Sequence, residues 1–189
     1  MTDQSGSNSQ WTRRSTLIGG SALLLGFSPA APAIARSRPV GVRRLAFFNL
    51  HTHEKVDVDY FADGRYISDG VQALDHFMRD VRDGKSFRMK RDLYDLLFDL
   101  HTRMRTNEPF HLISGYRSPG TNAWLRSIGR GVAKRSLHMS GLACDIRVPG
   151  RSTGQVWRAA RGLQRGGVGL YTRSKFVHID IGPVRYWGS

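Results

Sequence analysis

Apolar positions change their period along this chain, and the changes divide it into elements. Leu45–Leu50 is a short apolar run and Lys55–Tyr60 alternates polar with apolar, so the pair predicts a hairpin with His51, Thr52 and His53 at its turn. Across 70–83, Val71, Leu74, Phe77, Met78 and Val81 recur at helical spacing behind Asp69, a residue able to cap a helix start. Leu93, Leu96, Leu97, Leu100 and Met104 repeat that spacing across 90–105. The runs Phe110–Ser114, Leu142–Val148 and Phe176–Ile181 read as strands, with shorter helices at Asn122–Ile128 and Thr153–Arg165. Gly166 to Gly169 predicts a turn leading into a further strand. Helices early and strands late indicate an α+β domain, a small antiparallel sheet packed with helices. There is no internal repeat.

The first 35 residues follow a different pattern. Arg13 and Arg14 precede an apolar stretch from Leu17 to Phe27, and small residues lead to Ala33-Ile34-Ala35. These are the three regions of a secretory signal, and the paired arginines resemble a Tat signal with cleavage after Ala35. The apolar stretch is about half of the ~20 residues a membrane-spanning helix needs, and no later segment is long enough. The expected organisation is a signal at 1–35, a basic linker at 36–44 and one domain at 45–189, exported to the periplasm.

Composition narrows the function. Hydrophobic residues at 40% and charged residues at 23% suit a folded domain. The net charge of +14 lies almost wholly beyond residue 35 and favours a polyanionic partner: nucleic acid, an anionic membrane face, or a cell wall bearing carboxylates and phosphates. A nucleic-acid role conflicts with export, and no RRM, KH or C2H2 pattern is present. The one cysteine, Cys144, excludes an intramolecular disulfide and a CxxC zinc ribbon. It neighbours Asp145 in a strand, so it faces the opposite side, toward the core.

Candidate chemistry concentrates in two segments. His138 precedes Asp145 by seven residues across a glycine turn, and His178 lies between Val177 and Ile179 with Asp180 two residues on. Residues i and i+2 of a strand share a face, which places His178 and Asp180 together. A carboxylate in an apolar strand needs a partner. Two imidazoles and a carboxylate match the three protein ligands of a catalytic zinc, whose fourth position is left to water. Taken singly, His138 also reads as a polar loop residue, Asp145 as a partner of Arg147 or Arg117, and His178 as a core histidine.

The run Ser114-Gly115-Tyr116-Arg117-Ser118, the pattern from Ser136-Leu137-His138 to Asp145, and His178 in FVHID resemble the M15-type zinc peptidases of the Hedgehog/D-Ala-D-Ala peptidase fold. Within that group they are most similar to the YcbK-like murein endopeptidases, over about Leu45 to Trp187. The resemblance implies one zinc ion on His138, Asp145 and His178, and Arg117 as the residue that binds substrate and stabilises the oxyanion. It implies hydrolysis of peptide cross-links in peptidoglycan. A non-catalytic wall-binding module that keeps the zinc, and a D,D-carboxypeptidase, are the alternatives. One position departs from the pattern: many M15 enzymes carry an acidic general base three residues before the last histidine, where this chain has Lys175. Asp180 is then the carboxylate available as base, or else it orients a histidine ligand. His51, His53, His76, His101 and His111 have no comparable context.

Overall fold

The computed structural model describes residues 41–188; the export signal and most of the linker lie outside them. Strands β1 (Arg43–Asn49) and β2 (Lys55–Ala62) form the hairpin that the pattern predicts, and β3 (Arg65–Tyr66) extends it. Helices α1 (Ser68–Phe77) and α2 (Arg91–Met104) follow, then β4 (Phe110–Ser114) and α3 (Pro119–Ser127). The second half supplies β5 (Ala143–Arg147), α4 (Thr153–Arg161), β6 (Gly167–Tyr171), β7 (Phe176–Asp180) and β8 (Arg185–Trp187).

All eight strands join one sheet in the order β3-β2-β1-β4-β5-β7-β6-β8. The expected small antiparallel sheet is therefore corrected to a larger, mixed one. β1 lies parallel to β4, and β6 lies parallel to β8. The first parallel pair follows from α1 and α2, which carry the chain back across the sheet before β4 starts, as a parallel connection requires.

One face of the sheet is the core. Leu45, Phe47, Phe110, Leu112, Cys144, Ile146, Val168, Val177 and Ile179 meet Val71 and Leu74 of α1, Leu93 to Leu100 of α2, and Val156 and Ala160 of α4. Full burial of a leucine such as Leu97 contributes about 1.5–3 kcal/mol. Strand alternation then turns Asp145, His178 and Asp180 to the other face.

Two helix boundaries move for identifiable reasons. The helix expected to run to residue 83 stops at Phe77, because Asp80 leaves it to accept hydrogen bonds from the backbone N–H groups of Arg82 (2.9 Å) and Ser118 (2.8 Å). Ile67, not Asp69, occupies its N-cap position. The helix expected from Asn122 begins three residues earlier, at Pro119, since Ser118 Oγ caps it by accepting from the Thr121 N–H. Asp75 of α1 ties down α2 and the segment leading into it, its Oδ1 accepting both the Met89 N–H (3.0 Å) and the Tyr94 hydroxyl (2.8 Å).

Candidate active site

Register across the sheet assembles the site. Asp145 of β5 pairs with His178 of β7, His178 pairs with Gly169 of β6, and Gly169 pairs with Trp187 of β8. Directly paired residues share a face, so these four form one row across four strands, opposite the core. His138 joins them from a 3-10 turn, Leu137–Ser140, closed by Gly141 in the left-handed region (φ 66°).

The row brings three lone-pair donors together. His178 Nδ1 lies 2.9 Å from Asp145 Oδ1 and 3.2 Å from His138 Nε2, which is itself 3.3 Å from the same carboxylate oxygen. Each ring's other nitrogen faces a group that only accepts. His138 Nδ1 is 2.7 Å from the Gly115 carbonyl, and His178 Nε2 is 2.9 Å from Asp180 Oδ2. Both far nitrogens therefore carry the proton in the neutral rings, and His138 Nε2 and His178 Nδ1 are left with lone pairs aimed at each other and at a carboxylate. Such a set is repulsive until a cation enters it, and it fits a divalent metal with two nitrogen ligands and one oxygen ligand. It is the group of side chains able to hold a metal among the described residues.

A proton is the substitute for that cation. Burial alone would lower the His178 pKa, but hydrogen bonds to Asp145 and Asp180 outweigh it and raise the value to about 9. Burial would likewise raise Asp145, yet His138 and His178 hold it well below the usual carboxylate range.

The family model described as peptidoglycan L,D-endopeptidase MepK, an M15 peptidase, matches residues 37–187. The chain belongs to this family. It is 43% identical over 176 residues to the peptidoglycan L,D-endopeptidase MepK of Escherichia coli K12, which covers 93% of this chain and 96% of that protein. It is 36% identical over 171 residues to the probable peptidoglycan L,D-endopeptidase MepK of Haemophilus influenzae, covering 90% and 91%. No solved structure matches it. Membership of the MepK family makes the protein a peptidase of a metallopeptidase class.

Around the MepK-family centre, Asp180 is fully buried and both its oxygens are engaged. Oδ1 accepts from the Gly167 and Gly182 N–H groups (3.0 and 2.8 Å), and Oδ2 takes the His178 ring; Arg185 bonds both oxygens (3.1 and 2.7 Å). Burial would raise its pKa, but His178, Arg185 and the Gly182 N–H keep it low. Arg117, which follows β4, is buried and points its Nη2 at Asp145 Oδ2 (3.8 Å) and Ser114 Oγ (3.4 Å). Its Nε is buried without a hydrogen-bond partner in the protein.

These groups open into a cleft of about 480 Å³, walled by Arg117, Arg130 and Arg135 and by the aromatic rings of Tyr171, Phe176 and Trp187. Lys175 is not in it. Its carbonyl accepts from Arg147 Nε (2.6 Å), and its side chain lines a separate cavity with His111 and Arg147. His51, His53, His76, His101 and His111 all lie away from the cleft lining.

Sequence reasoning missed Arg185, Trp187, Tyr171 and the glycines of β6. A Cβ at Gly167 would collide with the Asp180 carboxylate and Arg185, and one at Gly169 with the Trp187 indole. Bare positions two apart on β6 let two β8 side chains cross it to reach β7. The signal was the Gly-x-Gly spacing before Leu170-Tyr171, which reads as a turn until the strand partners are known.

Proposed function

We propose that this chain is a zinc-dependent L,D-endopeptidase that hydrolyses peptide cross-links of peptidoglycan. The observation that carries this reading is the convergence of His138 Nε2, His178 Nδ1 and Asp145 Oδ1, with the far nitrogen of each histidine anchored to an acceptor. Zinc held by those three atoms supplies Lewis acidity toward the scissile carbonyl and lowers the pKa of water.

The chain's own residues do the rest. The Gly115 carbonyl and Asp180 hold the ring protons of His138 and His178, so the rings keep the orientation and tautomer that ligation needs. Asp180 serves in this orienting role, not as base, because a fully buried carboxylate with both oxygens occupied has no access to a reacting water. Arg117, in the cleft wall, brings its fixed positive charge toward the carbonyl oxygen, where negative charge grows as the amide is attacked. Arg130 and Arg135 draw the carboxylates of the peptide stems into the cleft. The signal read at residues 1–35 supports a periplasmic location, where this substrate lies.

Digestion of purified sacculi by protein starting at Arg36 tests the proposal, with chelator and His138→Ala as controls and products read by mass. Cross-link-derived fragments that require zinc and His138 are expected. Intact sacculi after treatment with folded, zinc-loaded protein would overturn the catalytic reading.

A further inference from the structure

The cleft holds one ionisable side chain that is neither a ligand of the proposed metal nor a permanent cation: Tyr171. It ends β6 two residues after Gly169, hence on the face of His178, and the residue is 39% exposed. Two neighbours fix it. Phe176, its partner across the β6–β7 pair, stacks on it with ring centroids 4.4 Å apart and 14° between planes. Trp187 Nε1–H donates to its hydroxyl oxygen at 3.1 Å, and Trp187 is itself seated on the bare backbone of Gly169 beside the His178 ring (centroids 5.3 Å).

The indole contact has a directional consequence. Tryptophan Nε1–H only donates, so the Tyr171 oxygen must accept there and its own O–H is left to donate elsewhere. No group among the described residues takes that proton. Tyr171 lines the same cleft as Arg117, Asp145 and His178, and its indole partner packs on the His178 ring.

Resting on the endopeptidase reading, we propose that the Tyr171 hydroxyl is a second catalytic donor to the scissile carbonyl oxygen, acting beside Arg117. The two differ in kind: Arg117 brings charge, and Tyr171 brings a neutral O–H whose direction is set before substrate arrives. A donor aimed at charge that develops only in the transition state affects turnover more than binding.

Tyr171→Phe keeps the ring and its stacking on Phe176 and deletes only the hydroxyl. With cross-linked muropeptide dimers as substrate, kcat should fall roughly a hundredfold while KM stays within about twofold. Affinity for a phosphinate analogue, whose tetrahedral phosphorus replaces the scissile carbon, should fall by a similar factor. Trp187→Phe, which removes the indole donor but not an aromatic ring, should give a smaller loss of kcat in the same direction. Wild-type turnover in Tyr171→Phe, a change confined to KM, or a loss accompanied by loss of bound zinc would each overturn the assignment. Failure of the endopeptidase reading would look different, since wild-type protein itself would then release nothing.

Discussion

The imidazole of His178 is gripped at both nitrogens by carboxylates, Asp145 Oδ1 at 2.9 Å from Nδ1 and Asp180 Oδ2 at 2.9 Å from Nε2. The first faces the cleft and the second is fully buried, with Arg185 beside it. A metal taken up at Nδ1 would thus be backed by a charged hydrogen bond at Nε2.

Asp180→Ala should weaken zinc affinity about 10–100-fold, the usual cost of deleting an acceptor behind a ligating histidine. Asp180→Asn, which still offers an oxygen to His178, should lose less. Competition with a chromogenic chelator measures both. A variant that binds zinc normally yet has lost turnover would instead make Asp180 the base.

Removing the metal should lower the thermal midpoint. Zinc at about 100-fold its Kd stabilises the folded state by about 2.7 kcal/mol. For a chain of this size that corresponds to about 5–10 °C, read by scanning calorimetry with and without chelator. His138→Ala should show little of the shift.

Gly169→Ala should displace Trp187, because the added methyl would overlap the indole. Overpacking of this kind costs about 1–3 kcal/mol. Near-ultraviolet circular dichroism should report the altered tryptophan environment, and Tyr171 should lose its indole partner as well.

Asp75 offers a pH test remote from the cleft. Burial raises its pKa despite the hydrogen bond from Tyr94 and the one from the Met89 N–H. A carboxyl with a folded pKa above its unfolded value favours the folded state most below about pH 4, and that contribution is lost as pH rises through the folded value. Asp75→Asn keeps an oxygen for both donors and escapes this loss, so its thermal midpoint relative to wild type should be higher at pH 7 than at pH 4. Asp75→Ala removes the acceptor and should cost about 1–3 kcal/mol at either pH.

What the sequence disclosed depended on how local each signal was. Asp145 and His178 were legible because ionisable residues interrupted apolar strands, His138 because it stood just before a glycine turn, and strand parity put Cys144 in the core and His178 beside Asp180. The hairpin at β1 and β2 was legible from alternation. β3 and β8, at two and three residues, are too short to carry a period, so the sheet's size and its mixed direction were not. Arg185 and Trp187 acquire their roles only through pairing with β6, a contact between distant segments. Asp69 failed as a cap because the helix entry is set by the chain leaving β3, with Ile67 N–H bonded to the Tyr60 carbonyl.

The two histidines also differ in reach. His178 offers Nδ1, the nitrogen nearer its own backbone, and Asp145 is a short side chain, so an ion on both would lie close to the sheet. His138 offers the distal Nε2 from a four-residue turn. The centre is thus a fixed jaw met by an extended arm, and its weakest hinge is the turn that ends at Gly141, where a side chain would strike the Arg88 carbonyl. Exchange of bound metal would be paced by opening of that arm, so Gly141→Ala should speed zinc release into chelator while hydrogen exchange of β5 and β7 stays as slow as before.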